Sequence, residues 1–157
     1  MAPNESMGPN ETIRSESITL RPSDPNALRY WLQVKEPGFE GLLVDEYGKW
    51  CIVCTCDAVD AGWSAVKELV VRGDIPAAKV STAFSLKFSG FRTHVICAYT
   101  RSWIDVTDVA RARHALRESG FTESLRYKRN IETVRPNRHF EFYYEDGPDG
   151  SLIRSTT

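Results

Sequence analysis

No apolar stretch in this chain approaches the roughly 20 residues needed to span a bilayer, and the N-terminus carries neither a basic leader nor an apolar segment behind it. Both absences point to a protein of the cytoplasm or nucleus with no membrane partner. A Gly-x-Gly-x-x-Gly loop, a Walker lysine loop and a nucleophile elbow are also missing. Nucleotide hydrolysis and serine-hydrolase chemistry by those routes are therefore unsupported. Histidine is scarce, with three in 157 residues. A net charge of −1 and a pI of about 6.3 fall short of the basic footprint usual for nucleic-acid domains, so any RNA contact must be local.

What is present has the make-up of one ordinary domain, 41% hydrophobic and 26% charged. Residues 1–26 are dominated by Asn, Ser, Glu, Pro and Thr and read as a flexible tail. Residues 27–147 read as a single α+β domain and 148–157 as a second flexible tail, although Leu152 and Ile153 are apolar enough to dock. The charge is lopsided. Residues 1–74 hold 7 Lys+Arg against 12 Asp+Glu, and 75–157 hold 13 against 9.

A β-α-β pattern is written twice. In the first copy, Trp50-Cys51-Ile52-Val53-Cys54 reads as a strand. Val59, Trp63, Val66 and Val70 then form an apolar helical stripe that Asp57 can cap and Gly73 can stop. Ala78-Lys79-Val80-Ser81-Thr82 closes the unit. In the second copy, Val95-Ile96-Cys97-Ala98-Tyr99 leads to a helix capped by Asp105 or Thr107, with Val109, Ala112 and Leu116 as its stripe and Gly120 as its stop. The strand Ser124-Leu125-Arg126-Tyr127-Lys128 follows, with Leu125 and Tyr127 on one face and Arg126 and Lys128 on the other. Together the copies predict a β-α-β-β-α-β core, an α+β sheet with helices on one face.

Cys51, Cys54, Cys56 and Cys97 invite a metal reading through the Cys51-x-x-Cys54 spacing, with Cys97 or His94 to complete the set. Strand alternation turns Cys51 and Cys54 to opposite faces, however, and free cysteine packs as a small hydrophobe. The expectation is core thiols and no metal or cofactor. A disulfide is disfavoured in a cytosolic setting. Cys56, at a strand-to-helix junction, is the candidate for a reactive thiol.

Gly48-Lys49-Trp50-Cys51-Ile52-Val53, Val59-Asp60-x-x-Trp63, Ala77-Ala78-Lys79-Val80-Ser81-Thr82, His94-Val95-Ile96-Cys97-x-Tyr99 and Gly120-Phe121 with Arg126-Tyr127-Lys128 resemble the basophilic-leukaemia-expressed protein family. That family is similar in fold to the cap-binding translation initiation factor 4E superfamily. The resemblance implies a curved, mainly antiparallel sheet with two or more helices behind it and an open concave face. It implies no settled activity. After Lys128 this chain departs from the family pattern, reading Arg129-Asn130-Ile131-Glu132-Thr133-Val134-Arg135-Pro136.

Period two puts Lys79 and Ser81 on one strand face and Arg126 and Lys128 on another, with Lys49 at the rim. Converging cations suit phosphate, and arginine adds a bidentate grip. Arg129, Arg135 and Arg138 extend the basic segment, and Trp103 offers a ring on which a base can stack. Phe140 and Phe142 read as core residues of a further strand. The leading expectation is binding of RNA, a nucleotide or another small phosphate-bearing anion on the open face.

The alternative is a transferase or lyase acting on a phosphate- or carboxylate-bearing substrate, including an RNA-borne one such as aminoacyl-tRNA. Lys79 or Lys49 would be its base, Arg126 or Arg138 its anion clamp, and His139 a proton carrier. Bacterial phosphothreonine lyases resemble this layout faintly, but Cys51 stands where their histidine acid would fall. A protein-interaction role, with acidic residues 36–46 or the tail as the docking element, is a third reading.

Overall fold

Trp50, Ile52 and Cys54 are buried while Val53 between them is exposed, the period-two signature of a strand covered on one face. The same alternation recurs through a computed structural model that describes residues 20–39, 45–123, 125–134, 143–146 and 152–154. The strands are β1 (Trp31–Lys35), β2 (Gly48–Cys54), β3 (Ala77–Ser81), β4 (His94–Thr100), β5 (Arg126–Arg129), β6 (Tyr144–Asp146) and β7 (Leu152–Arg154). They form a curved seven-stranded sheet in the order β1-β3-β4-β2-β5-β6-β7, antiparallel throughout.

The two strands flanking each long helix are parallel and separated by a third, which is the split β-α-β arrangement written twice. Helix α1 (Val59–Val71) buries Val59, Trp63, Val66, Leu69 and Val70, and helix α3 (Val106–Glu118) buries Val109, Ala112 and Leu116. These stripes meet Trp50, Ile52, Ala78, Val80, Ile96, Ala98 and Tyr127 in the main core. The Trp50 Nε1–H donates to the Val109 carbonyl at 3.0 Å, tying α3 to the central strand and satisfying a donor that burial would otherwise leave costly. Gly73 and Gly120 end the long helices at φ 83° and 102°, where a side chain would be strained.

Several elements differ from the sequence reading. Asp105 caps α3 by accepting from Asp108 N at 3.2 Å. Asp57 does not cap α1: Ala58 holds the N-cap position without a side-chain hydrogen bond, so Asp57 stands one residue too early. A short helix α2 (Ala83–Ser89) follows β3, begun by a capping box between Thr82 and Ser85. A helical turn α4 (Asn130–Val134) follows β5. Residues 152–154, read as tail, pair with β6 as strand β7. Ser23, also read as tail, donates from its backbone N and its Oγ to the Asp60 carboxylate at 3.0 and 2.5 Å. Among the described residues no helix is long and apolar enough to cross a membrane.

Candidate functional site

Six strands set out the sheet face turned away from the main core in two rows. Registers across β1, β3, β4, β2, β5 and β6 align Gln33, Lys79, Cys97, Cys51, Arg126 and Glu145 in one row. The neighbouring row carries Tyr99, Lys49 and Lys128. Lys49 and Lys128 are direct cross-strand partners, so their Cβ atoms lie about 5 Å apart. Like charges at that spacing repel, and both residues are also buried, at 4% and 8% exposure. Among the described residues Lys49, Lys79 and Lys128 make no ion pair with a carboxylate.

Aromatic rings and thiols take the place of acids. The Lys79 ammonium lies 4.1 Å from the centre of the Trp31 ring and that of Lys49 5.6 Å from the centre of Tyr99, both within cation–π range. Phe39, Tyr47 and Tyr99 contact one another with ring centres 5.0 to 5.7 Å apart. They cover Ala77 and Cys97 in a second apolar cluster, apart from the main core.

The electrostatics follow from this confinement. Burial pushes the Lys79 amine below its ordinary pKa, and Lys49 adds to the effect. Burial likewise lowers Lys128, again with Lys49 contributing. The Cys97 thiol is lowered to about 7 by a hydrogen bond from Cys51 and by the three lysines, which together outweigh its burial. Cys51 is raised correspondingly, first by its hydrogen bond with Cys97 and then by burial.

The sequence-named residues divide between two places. Lys49, Lys79, Ser81, Arg126 and Lys128 share the face parity. Within that group the Ser81 Oγ accepts from Val95 N at 3.0 Å, and Arg126 pairs with Glu145 at 3.3 Å. Arg129 has the opposite parity. It grips Glu132 at 2.6 to 2.9 Å and stacks on Trp103 and Tyr143 at 4.8 and 4.3 Å. Trp103 is fixed further by donating Nε1–H to the Asp45 carbonyl at 2.8 Å. The Trp103–Arg129 stack therefore braces the β5–α4 corner and is not part of the lysine rows. Arg135, Arg138, His139, Phe140 and Phe142 lie outside the described residues.

Sequence reading missed Trp31, Phe39, Tyr47 and Tyr99 as lining. Trp31 alternates with Gln33 and Lys35 on a five-residue strand, and that alternation was the available signal. Phe39 and Tyr47 sit in the one Gly- and Pro-containing connection between β1 and β2, where periodicity gives none. Of the cysteines read as core, only Cys54 joins the main core, because Cys51 and Cys97 take the other parity and Cys56 is exposed. Cys51 and Cys54 face opposite sides of β2, and among the described residues no three His, Cys, Asp or Glu side chains cluster as a metal site would need.

A separate open groove of about 780 Å³ lies where β2 runs on beyond its pairing with β5. It is walled by Ile52, Cys54, Ala61, Gly62, Phe121 and Leu125. It meets the lysine face at Cys51, Val53 and Arg126.

Comparison with solved structures defines the class of fold. C. elegans eIF4E-3, solved with the 4E-binding protein Mextli, superposes with a TM-score of 0.59 over 81% of this chain and 79% of its own, at 17% identity. Ascaris suum eIF4E-3, solved with m2,2,7G cap, gives a TM-score of 0.60 over 86% and 79% at 13% identity, and its complex with m7G cap gives 0.59. The fold is thus 4E-like. No curated protein matches the sequence. The family model of the basophilic leukemia-expressed protein Bles03 matches residues 44–132, more than half of the chain, and the chain belongs to that family.

Proposed function

We propose that the uncovered face of the sheet binds a phosphate-bearing ligand, a nucleotide or RNA, through Lys49, Lys79 and Lys128 with Arg126 at the rim. The observation that carries this reading is the convergence of three lysines, Lys49 and Lys128 buried and Lys79 partly so, with no carboxylate in ion-pair range among the described residues. Burying like charges together is costly, and an anion that enters between them offsets that cost. Trp31, Tyr47 and Tyr99 beside the lysines supply ring faces for a base. The 4E-like neighbours solved with m7G and m2,2,7G caps support a nucleotide over a simple anion.

Fluorescence-polarisation titration of labelled short single-stranded RNA and of a capped nucleotide, at two salt concentrations, tests the proposal. With about three phosphate contacts, log K for single-stranded RNA should fall with log salt at a slope of about −2. Lys49→Ala with Lys128→Ala should weaken binding at least tenfold while the protein still melts cooperatively. Unchanged affinity in that double variant rejects the site.

One observation favours a second reading, that of a transferase or lyase. The lowered Lys79 amine is nearer to the neutral state that a base requires. Native mass spectrometry of protein purified from cells separates the two: a retained small anionic metabolite that is consumed on incubation indicates the enzyme.

A further inference from the structure

We propose that Cys97 and Cys51 form a redox modification site, in which a hydroperoxide oxidises Cys97 and the pair closes into a cross-strand disulfide in the floor of the lysine-lined face. The inference does not depend on which ligand that face binds.

Geometry comes first. Cys51 and Cys97 are direct partners in an antiparallel ladder, and such partners have Cα atoms about 4.5 to 5.5 Å apart whichever hydrogen-bonding class they belong to. Disulfides need about 4.4 to 6.8 Å. Closure therefore asks for side-chain rotation and an approach of about 1 Å, from the roughly 5 Å between the Cβ atoms of cross-strand partners to the 3.5–4.5 Å of a disulfide. The two thiols are near enough for each to shift the other's pKa, Cys97 downward and Cys51 upward.

The surroundings come second. The charged and titratable groups that bear on the pair are Lys49 from β2, Lys79 from β3, Tyr99 from β4 and Lys128 from β5, with Tyr47 reaching in over Tyr99 and Arg126 of β5 the direct cross-strand partner of Cys51. Four are cations and none is a carboxylate, which is the setting that favours thiolate. Cys97 is 3% exposed, so only an oxidant close to water in size reaches it, and hydrogen peroxide meets that condition. The other two cysteines lack the arrangement. Cys54 faces the main core, where burial pushes its thiol up, and Cys56 is exposed at the start of α1.

The chemistry balances with one peroxide. The Cys97 thiolate attacks the O–O bond and becomes sulfenic acid, while hydroxide leaves and takes a proton to form water. Cys51 sulfur then attacks the Cys97 sulfur and displaces the hydroxyl group, which departs with the Cys51 proton as a second water. Two sulfurs are oxidised, the peroxide is reduced, and a thiol reductant reverses the step. Closure removes the thiolate, the negative charge that Lys49, Lys79 and Lys128 favour.

The experiment uses the full chain carrying Cys56→Ser, so that the exposed thiol does not compete. The protein is treated with hydrogen peroxide at neutral pH, quenched with iodoacetamide, and digested without reductant for mass spectrometry. The expected product is a peptide pair joined through Cys51 and Cys97, lighter by two hydrogens and separated by dithiothreitol. Adding Cys51→Ser should leave a sulfenic acid on Cys97 that dimedone traps. The same digestion of the unsubstituted chain covers the case in which a variant fails to fold. Cys51 and Cys97 both recovered as reduced, alkylated peptides from folded protein, or Cys54 oxidised as fast as they are, overturns the inference.

Discussion

Lys79 and Lys128 are held in protonation states that burial opposes, so each should trade stability for binding. Replacing Lys79 by methionine keeps the stem against Trp31 and removes the charge. We expect Lys79→Met to raise the melting temperature by a few degrees, because a buried cation without an acid partner is replaced by an apolar group of similar length. The same change should weaken anion binding by about ten- to a hundredfold, the value of one charge-assisted hydrogen bond. A variant that loses both stability and binding would mean that Lys79 serves packing alone. Cys97 offers a second check. Its thiolate, followed by ultraviolet absorbance, should titrate near pH 7, and Lys49→Gln should move that midpoint upward because one of the three cations is gone. The lysines themselves were legible as period-two pairs in the sequence. Their burial was not, since Lys49 packs by Tyr99, in a ring cluster with Phe39 and Tyr47 that the β1–β2 connection and β4 bring together, and Lys79 packs by Trp31 of β1.

Strands and long helices announce themselves through alternation and stripes, and here Trp50–Cys54, Val59–Val70 and Val109–Leu116 were plain in the chain. Shorter elements were not. β1 has five residues, and α2 has seven whose chief marker is the Thr82–Ser85 capping box, hidden because Thr82 also reads as the end of a strand. Where β2 meets β5, Gly48 lies opposite Arg129, and a methyl group at position 48 would overlap the Tyr127 phenol. That ring is fully buried, packs edge-on against Trp50 at 5.2 Å and shares a 2.6 Å hydrogen bond with Thr100, so it has nowhere to move. Gly48→Ala should destabilise the protein by about 1–3 kcal/mol, the usual cost of overpacking, measured by denaturant unfolding. Gly73→Ala, where a Cβ meets nothing within 4 Å but φ is 83°, should cost only its backbone strain of about 1 kcal/mol.

Across the protein, the thiol and amine shifts combine into one pH dependence. Cys97 ionises near 7 when folded and near its ordinary 9.0 when unfolded. Between those values the unfolded chain binds more protons, and stability rises with pH. Lys79 and Lys128 have the same sign, because their folded pKa values lie below the ordinary 10.5. Above 9 the raised Cys51 works the other way. Denaturant midpoints should therefore climb from pH 7 to 9, and Cys97→Ser should flatten the climb. The strand order carries a consequence of another kind. β2 is central to the sheet, yet both its neighbours, β4 and β5, follow it by at least forty residues of chain. On the ribosome it must wait, unpaired and apolar on one face, until Thr100 has emerged, and its second edge stays open until Arg129 has, so folding is governed by distant pairings and is slow. In that interval Trp50, Ile52 and Cys54 are exposed to solvent, and a chaperone that holds extended apolar segments would find its binding site there.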